Sequence, residues 1–209
     1  MRKHTIERLI EQGEGLHLDF KFEVSDAAKI ARSLVAFANT DGGTLLIGVK
    51  DNGVIKGIKS EEEFYMIENS AQRYCKPEVK FSSKEWNLKG KKILEVTIPA
   101  SKQAPHRAPD KDGKPKAFIR FQDENLLASG VQIKIWKKHQ SNHNISVTID
   151  GDYEWLLKYL NEYPAISVNE FRSYASVNRH LAEEILSDLV VLDVIKMKTN
   201  KKGQIFSLK

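Results

Sequence analysis

The sequence predicts an α+β protein made of two domains, on three observations. Strand-like and helix-like segments follow one another without the regular alternation of a parallel α/β fold. A polar stretch at residues 139–152, HQSNHNISVTIDGD, interrupts the apolar periodicity and reads as a link. Beyond it, three helical segments precede a two-stranded hairpin, the layout of a winged helix-turn-helix. The expected division is a first domain at 1–140, a linker at 141–151 and a small winged-helix domain at 152–209.

Each element has its own signal. Thr5–Glu11 reads as a helix. Leu16, Leu18 and Phe20 alternate with His17, Asp19 and Lys21, the period of a half-buried strand. Ser25 and Asp26 cap a helix running to about Ala38, with Ile30, Leu34, Val35 and Ala38 as its apolar stripe. The stretch Asn39–Gly43 ends that helix with turn chemistry. TLLIGV at 44–49 is a buried strand, and Asp51-Asn52-Gly53 turns it into a hairpin with the VIKGI segment. Glu61–Cys75 reads as a helix, Lys91–Ile98 and Ala117–Phe121 as strands, and Ser129–His139 as the closing helix of the first domain. In the second domain, Asp152 caps a helix at Tyr153–Tyr163 that Pro164 stops. Ser167 caps the next, with Glu170 placed for a capping box. A third helix runs from about Arg179 to Leu192. Ile195–Thr199 and Gln204–Leu208 form the hairpin.

Composition narrows the function classes. Hydrophobic residues are 41% and charged residues 29% of the 209, ordinary values for a globular protein. No apolar run approaches the ~20 residues needed to span a bilayer, and the charged start, MRKHTIERLI, lacks the core of a secretory signal. No membrane association is expected. One cysteine, Cys75, leaves no intrachain disulfide, so a cytoplasmic location is expected. Net charge is +5, and residues 101–140 carry nine basic against four acidic side chains. Such a surface suits a polyanion, although a solvated lysine-rich face has the same composition.

Three groups of residues are candidates for chemistry. The first lies in the helix-turn-helix, where the N-terminal residues of the third helix, Ser176, Asn178, Arg179 and His180, are placed for base edges. The hairpin lysines Lys196, Lys198, Lys201 and Lys202 are placed for phosphates. The same module also serves for dimerisation or protein contact, and Glu183, Glu184 and Asp188 weaken the basic character of the third helix. The second group is basic and lies in the first domain, in and after the loop APHRAP: His106, Arg107, Lys114, Lys116 and Arg120. The third is acidic. If the two early strands are neighbours, Asp19 and Asp51 converge with Glu14, and three carboxylates can hold Mg²⁺ or Mn²⁺ for phosphodiester cleavage. The plainer alternative gives Asp51 to its turn and pairs Glu14 and Asp19 with nearby Lys or Arg. No P-loop occurs, the histidines lack metal-site spacing, and no cofactor is expected outside the nuclease alternative.

The run Glu14–Gly57, with its acidic-x-F-K strand, the helix ending A-F-A-N-T-x-G-G, the L-x-I-G-V strand and the D-x-G turn, resembles the Schlafen AlbA_2 family. AFIRFQDENLLAS at 117–129 is similar to that family's later strand. The resemblance spans roughly residues 7–140. It implies an AlbA_2-like mixed sheet with helices, and a nucleic-acid-binding domain often described as a transcriptional regulator or an ATP-binding protein. Animal relatives include ribonucleases with three acids, two of them spaced as Glu14 and Asp19 are, and the third where Asp51 stands. This chain has Asp at the second position, where the family usually has Glu, and one lobe where the animal enzymes pair two. The leading expectation is a regulator binding double-stranded DNA, with a homodimer on paired half-sites. The alternatives are a metal-dependent ribonuclease and an interaction scaffold assembled through the winged helix.

Overall fold

In the computed structural model, residues 5–141, 146–149, 151–200 and 203–209 are described. They form two units, divided between Ala128 and Ser129.

The first unit is organised by strand β2 (Gly43–Ile47). It pairs in parallel with β1 (Leu18–Lys21) on one side and antiparallel with β4 (Lys91–Ile98) on the other. β3 (Ser82–Leu88) completes the order β1-β2-β4-β3. The Leu45–Ile47 run of β2 is apolar and buried because both sheet faces are covered there. Leu45 and Ile47 join the core with helix α2 (Ala27–Ala38), while Leu46 joins a second core with Ile6 of helix α1 (Thr5–Gln12). The same period of two sends Leu18 and Phe20 of β1 into the α1 core and leaves Asp19 on the α2 face. Helix α3 (Glu62–Asn69) continues into a π-helical turn, Ser70–Tyr74, and buries Ile67 against α2's core. Two short hairpins follow, β5 (Ala108–Pro109) with β6 (Pro115–Lys116), and β7 (Phe118–Phe121) with β8 (Glu124–Leu127).

Local chemistry explains the element ends. Asp26 caps α2, its carboxylate accepting from the N–H groups of Ala28 and Lys29 at 2.9 and 3.1 Å. After α2 the chain turns at Gly42 (φ 75°), where a Cβ would come within 2.7 Å of the Ile98 carbonyl. Both a left-handed φ and a close backbone approach therefore select glycine there. Lys89 and Gly90, with φ of 52° and 76°, form the two-residue turn that joins β3 to β4. The expected hairpin after β2 is reduced to a single bridge, Val49 to Ile55. The strand β3 has no signal in the sequence: as an edge strand it is mostly exposed and polar, so it shows little apolar alternation.

The second unit begins with α4 (Gly130–Gln140), which Ser129 caps. α5 (Gly151–Glu162), β9 (Ile166–Ser167), α6 (Val168–Tyr174), α7 (Arg179–Val191), β10 (Ile195–Asn200) and β11 (Gly203–Leu208) follow. The strands form one sheet in the order β10-β11-β9. The expected capping box is present, with Ser167 and Glu170 each accepting from the other's backbone N–H. Asp152, expected as a cap, lies inside the first turn of α5.

The expected domain boundary at 140 needs correction. α4 does not close the first unit; its Val131 and Ile135 are buried in the core of α5, α6, α7 and the sheet. These two buried apolar side chains need a partner surface, and α7 supplies it. Of the expected linker at 141–151, residues 142–145 and 150 lie outside the described residues, and Gly151 already belongs to α5.

Candidate nucleic-acid interface

In the first unit the functional candidates meet at a buried ionic cluster. Asp19 is 3% exposed. Its carboxylate lies 2.7 Å from Lys21 Nζ and 3.3 Å from Arg120 Nη2, and accepts from Ser33 Oγ at 3.5 Å. Arg120 is buried too, and its guanidinium donates to the carbonyls of Gly15 and Leu18 and to Asn125 Oδ1. A guanidinium's fork of five donors suits this many-sided role. Glu14 accepts from the Phe20 N–H at 2.8 Å. Burial, then a hydrogen bond with Asp19 and that residue's negative charge, push the Glu14 carboxyl up to about 7.

Glu14 and Asp19 are thus brought together as the sequence suggested, but Asp51 is not. β1 and β2 are neighbours, yet the register sets Asp19 opposite Leu45. Asp51 stands in the exposed turn beyond the end of β2. Among the described residues no three His, Cys, Asp or Glu side chains are grouped to hold a metal ion. The expected three-carboxylate site is corrected to a carboxyl pair braced by Lys21 and Arg120. Beside it opens a cavity of about 620 Å³, whose lining includes Asp19, Arg120, Lys29, Arg32, Lys111 and Phe118. Lys29 and Arg32 were not singled out from sequence, although their spacing of three on α2 places them on one helical face.

The loop candidates divide. His106 is 2% exposed, with Nδ1 2.8 Å from the Pro77 carbonyl and Nε2 2.6 Å from Ser101 Oγ. It is a packing residue, and so is Arg120; both expectations of phosphate contact are corrected, because each side chain is buried among its own partners. Arg107 is half-buried and its backbone bridges to Lys76. Lys114 and Lys116 are exposed. Cys75 is buried, and that burial pushes its thiol up to about 12, so it is a core residue.

In the second unit Ser176, Asn178, Arg179 and His180 are all exposed at the start of α7. Asn178 is its N-cap, accepting from the Leu181 N–H at 2.9 Å. Arg179 is ion-paired to Glu183 at 2.8 Å. Lys196 and Lys198 are exposed on β10, while Lys201 and Lys202 lie outside the described residues. Missed from sequence are Lys134 and Lys138 of α4, which reach Glu184 and Asp188 of α7. Ligand spacing within one segment gives no sign of a pairing across two helices.

Fold and site define an α+β domain built around a buried carboxylate–guanidinium cluster, followed by a helical unit closed by a lysine-bearing hairpin. The family model for Schlafen, AlbA_2 matches residues 14–129, more than half the chain, and the chain belongs to that family. Among solved structures it resembles the DIP2311 protein from Corynebacterium diphtheriae, with 14% identity and a TM-score of 0.53. That match covers 98% of this chain and 49% of the other, so the chain spans about half the length of that protein, and the likeness is one of fold. A second match is the N-terminal domain of an ATP-dependent DNA helicase RecG-related protein from Nitrosomonas europaea. It has 18% identity, a TM-score of 0.41, and covers 70% of this chain and 96% of that one. Among the described residues no helix is long and apolar enough to cross a membrane.

Proposed function

We propose that the protein binds nucleic acid, and that it is a regulator acting on double-stranded DNA. The observation that carries this reading is the second unit's construction. Helices α5, α6 and α7, the short strand β9 and a hairpin whose last strand pairs back to β9 match the parts expected of a winged helix. The exposed cations Lys196 and Lys198 stand on its hairpin, where such modules meet phosphates. Membership of the Schlafen AlbA_2 family supports a nucleic-acid role for the first unit. The exposed lysines Lys114 and Lys116 add positive charge there.

The test is fluorescence anisotropy of the full chain with a labelled duplex across a salt series. Binding that weakens linearly on a log–log plot as salt rises is expected, since phosphate neutralisation releases counterions. No binding at low salt, or binding insensitive to salt, overturns the reading.

A further inference from the structure

One side of α7 carries its core stripe, and α4 packs along the opposite side, leaving the exposed N-terminal turn between them. Ala182, Ile185, Leu186 and Leu189 turn toward the unit's core. The opposite stripe, at helical spacing, is His180, Glu183, Glu184 and Ser187. α4 lies along that stripe. Lys134 Nζ is 3.4 Å from His180 Nε2 and 2.5 Å from Glu184 Oε2. Lys138 Nζ reaches Glu184 Oε1 at 2.5 Å, Ser187 Oγ at 2.8 Å and Asp188 Oδ1 at 2.7 Å. Gly130 sits against the Glu183 carboxylate, which would have to move aside for a Cβ at that position. Asp188 also accepts from the Tyr153 hydroxyl at 2.7 Å. The lysines of α4 and the acids of α7 thus form a half-buried ion-pair network, and Arg179 is held by Glu183 beside it.

The hairpin has the opposite character. Ile195 is buried while Lys196 and Lys198 are exposed, so the two lysines share the outward side of β10. β10 is an edge strand, and residues 195–209 contain no Asp or Glu. An acid-free edge of this kind suits a row of phosphates, whereas the acids Glu183, Glu184 and Asp188 along α7 oppose a polyanion.

We infer that the second unit meets nucleic acid through the hairpin β10–β11, by contacts to the phosphate backbone, and not through the N-terminal turn of α7. This rests on the nucleic-acid reading above. Binding is then salt-dependent and tolerant of base sequence.

The full chain and two variants, K196A/K198A and R179A, are titrated with a random 20-base-pair duplex over a salt series. The wild type is also put through rounds of selection on a random duplex library. K196A/K198A is expected to weaken binding about tenfold at low salt and to lower the log–log slope by about 2, one contact's worth per lysine. R179A is expected to change affinity less than about twofold, and the library to yield no enriched motif. An enriched motif whose binding R179A abolishes overturns the inference but leaves the nucleic-acid reading standing. So does an unchanged K196A/K198A. No duplex binding by the wild type at any salt overturns both. Both variants lie on exposed positions, and unchanged thermal melting shows that they remain folded.

Discussion

Arg120 illustrates how far a residue's environment can change its role. Its guanidinium is 1% exposed, and it binds one carboxylate and two backbone carbonyls. Replacing it by alanine leaves Asp19 buried beside Lys21 alone and strips the Gly15 and Leu18 carbonyls of a donor. Loss of one partner of a buried ion pair costs about 3–5 kcal/mol, so Arg120→Ala is expected to lower stability by that order in urea unfolding. Glu14 allows a second prediction. Its carboxyl titrates near 7 in the fold against 4.5 for an unperturbed glutamate. Between those values the folded chain holds a proton that the unfolded chain has released, so this group's contribution is full below about 4.5 and is lost as pH rises to 7. Glu14→Gln, which imitates the protonated form, should flatten that decline. Unfolding free energies of both proteins at pH 5 and pH 8 check it, and an equal decline in the two refutes the assignment.

At the scale of elements, caps and turns carry the testable energy. Asp26 satisfies two of the free N–H groups at the start of α2. Asp26→Ala is expected to cost about 1 kcal/mol, read as a shift of the denaturation midpoint without a change in slope. Gly42→Ala should cost more, because it forces a left-handed backbone on alanine and drives its methyl group into the chain at Ile98 and Ala100. A loss smaller than that of Asp26→Ala would show that the turn relaxes instead. Elements were legible in the sequence where local pattern and burial agree. Ser167 with Glu170, the apolar run of β2, and β4 all stand where they were expected. β3 was not legible, because an edge strand packs one side sparsely and keeps polar residues on the other.

For the whole molecule, the position of α4 makes a prediction about where the chain can be divided. Val131 and Ile135 are buried in the second unit, and burying such side chains contributes roughly 2 kcal/mol each. A fragment comprising residues 129–209 is expected to melt cooperatively and at a higher temperature than one comprising 141–209, which lacks α4 and leaves the acids of α7 without Lys134 and Lys138. Equal melting temperatures by circular dichroism would show that α4 adds nothing to that unit. The chain's positive charge is likewise divided by tertiary contacts. Lys21, Lys134, Lys138 and Arg120 are engaged with acids, whereas Lys114, Lys116, Lys196 and Lys198 stand exposed.

By itself the sequence determined the α+β class, most of the helices and strands, the caps at Asp26 and Ser167 and the family, because these follow from spacing along one segment. It also brought Glu14 and Asp19 into view as a pair. Only the tertiary structure decided that Asp51 stands apart from them, that His106 and Arg120 are packing residues, and that α4 covers α7. These outcomes depend on which strand register and which helix face meet across long stretches of chain, and a buried cation and an exposed one are written with the same letter.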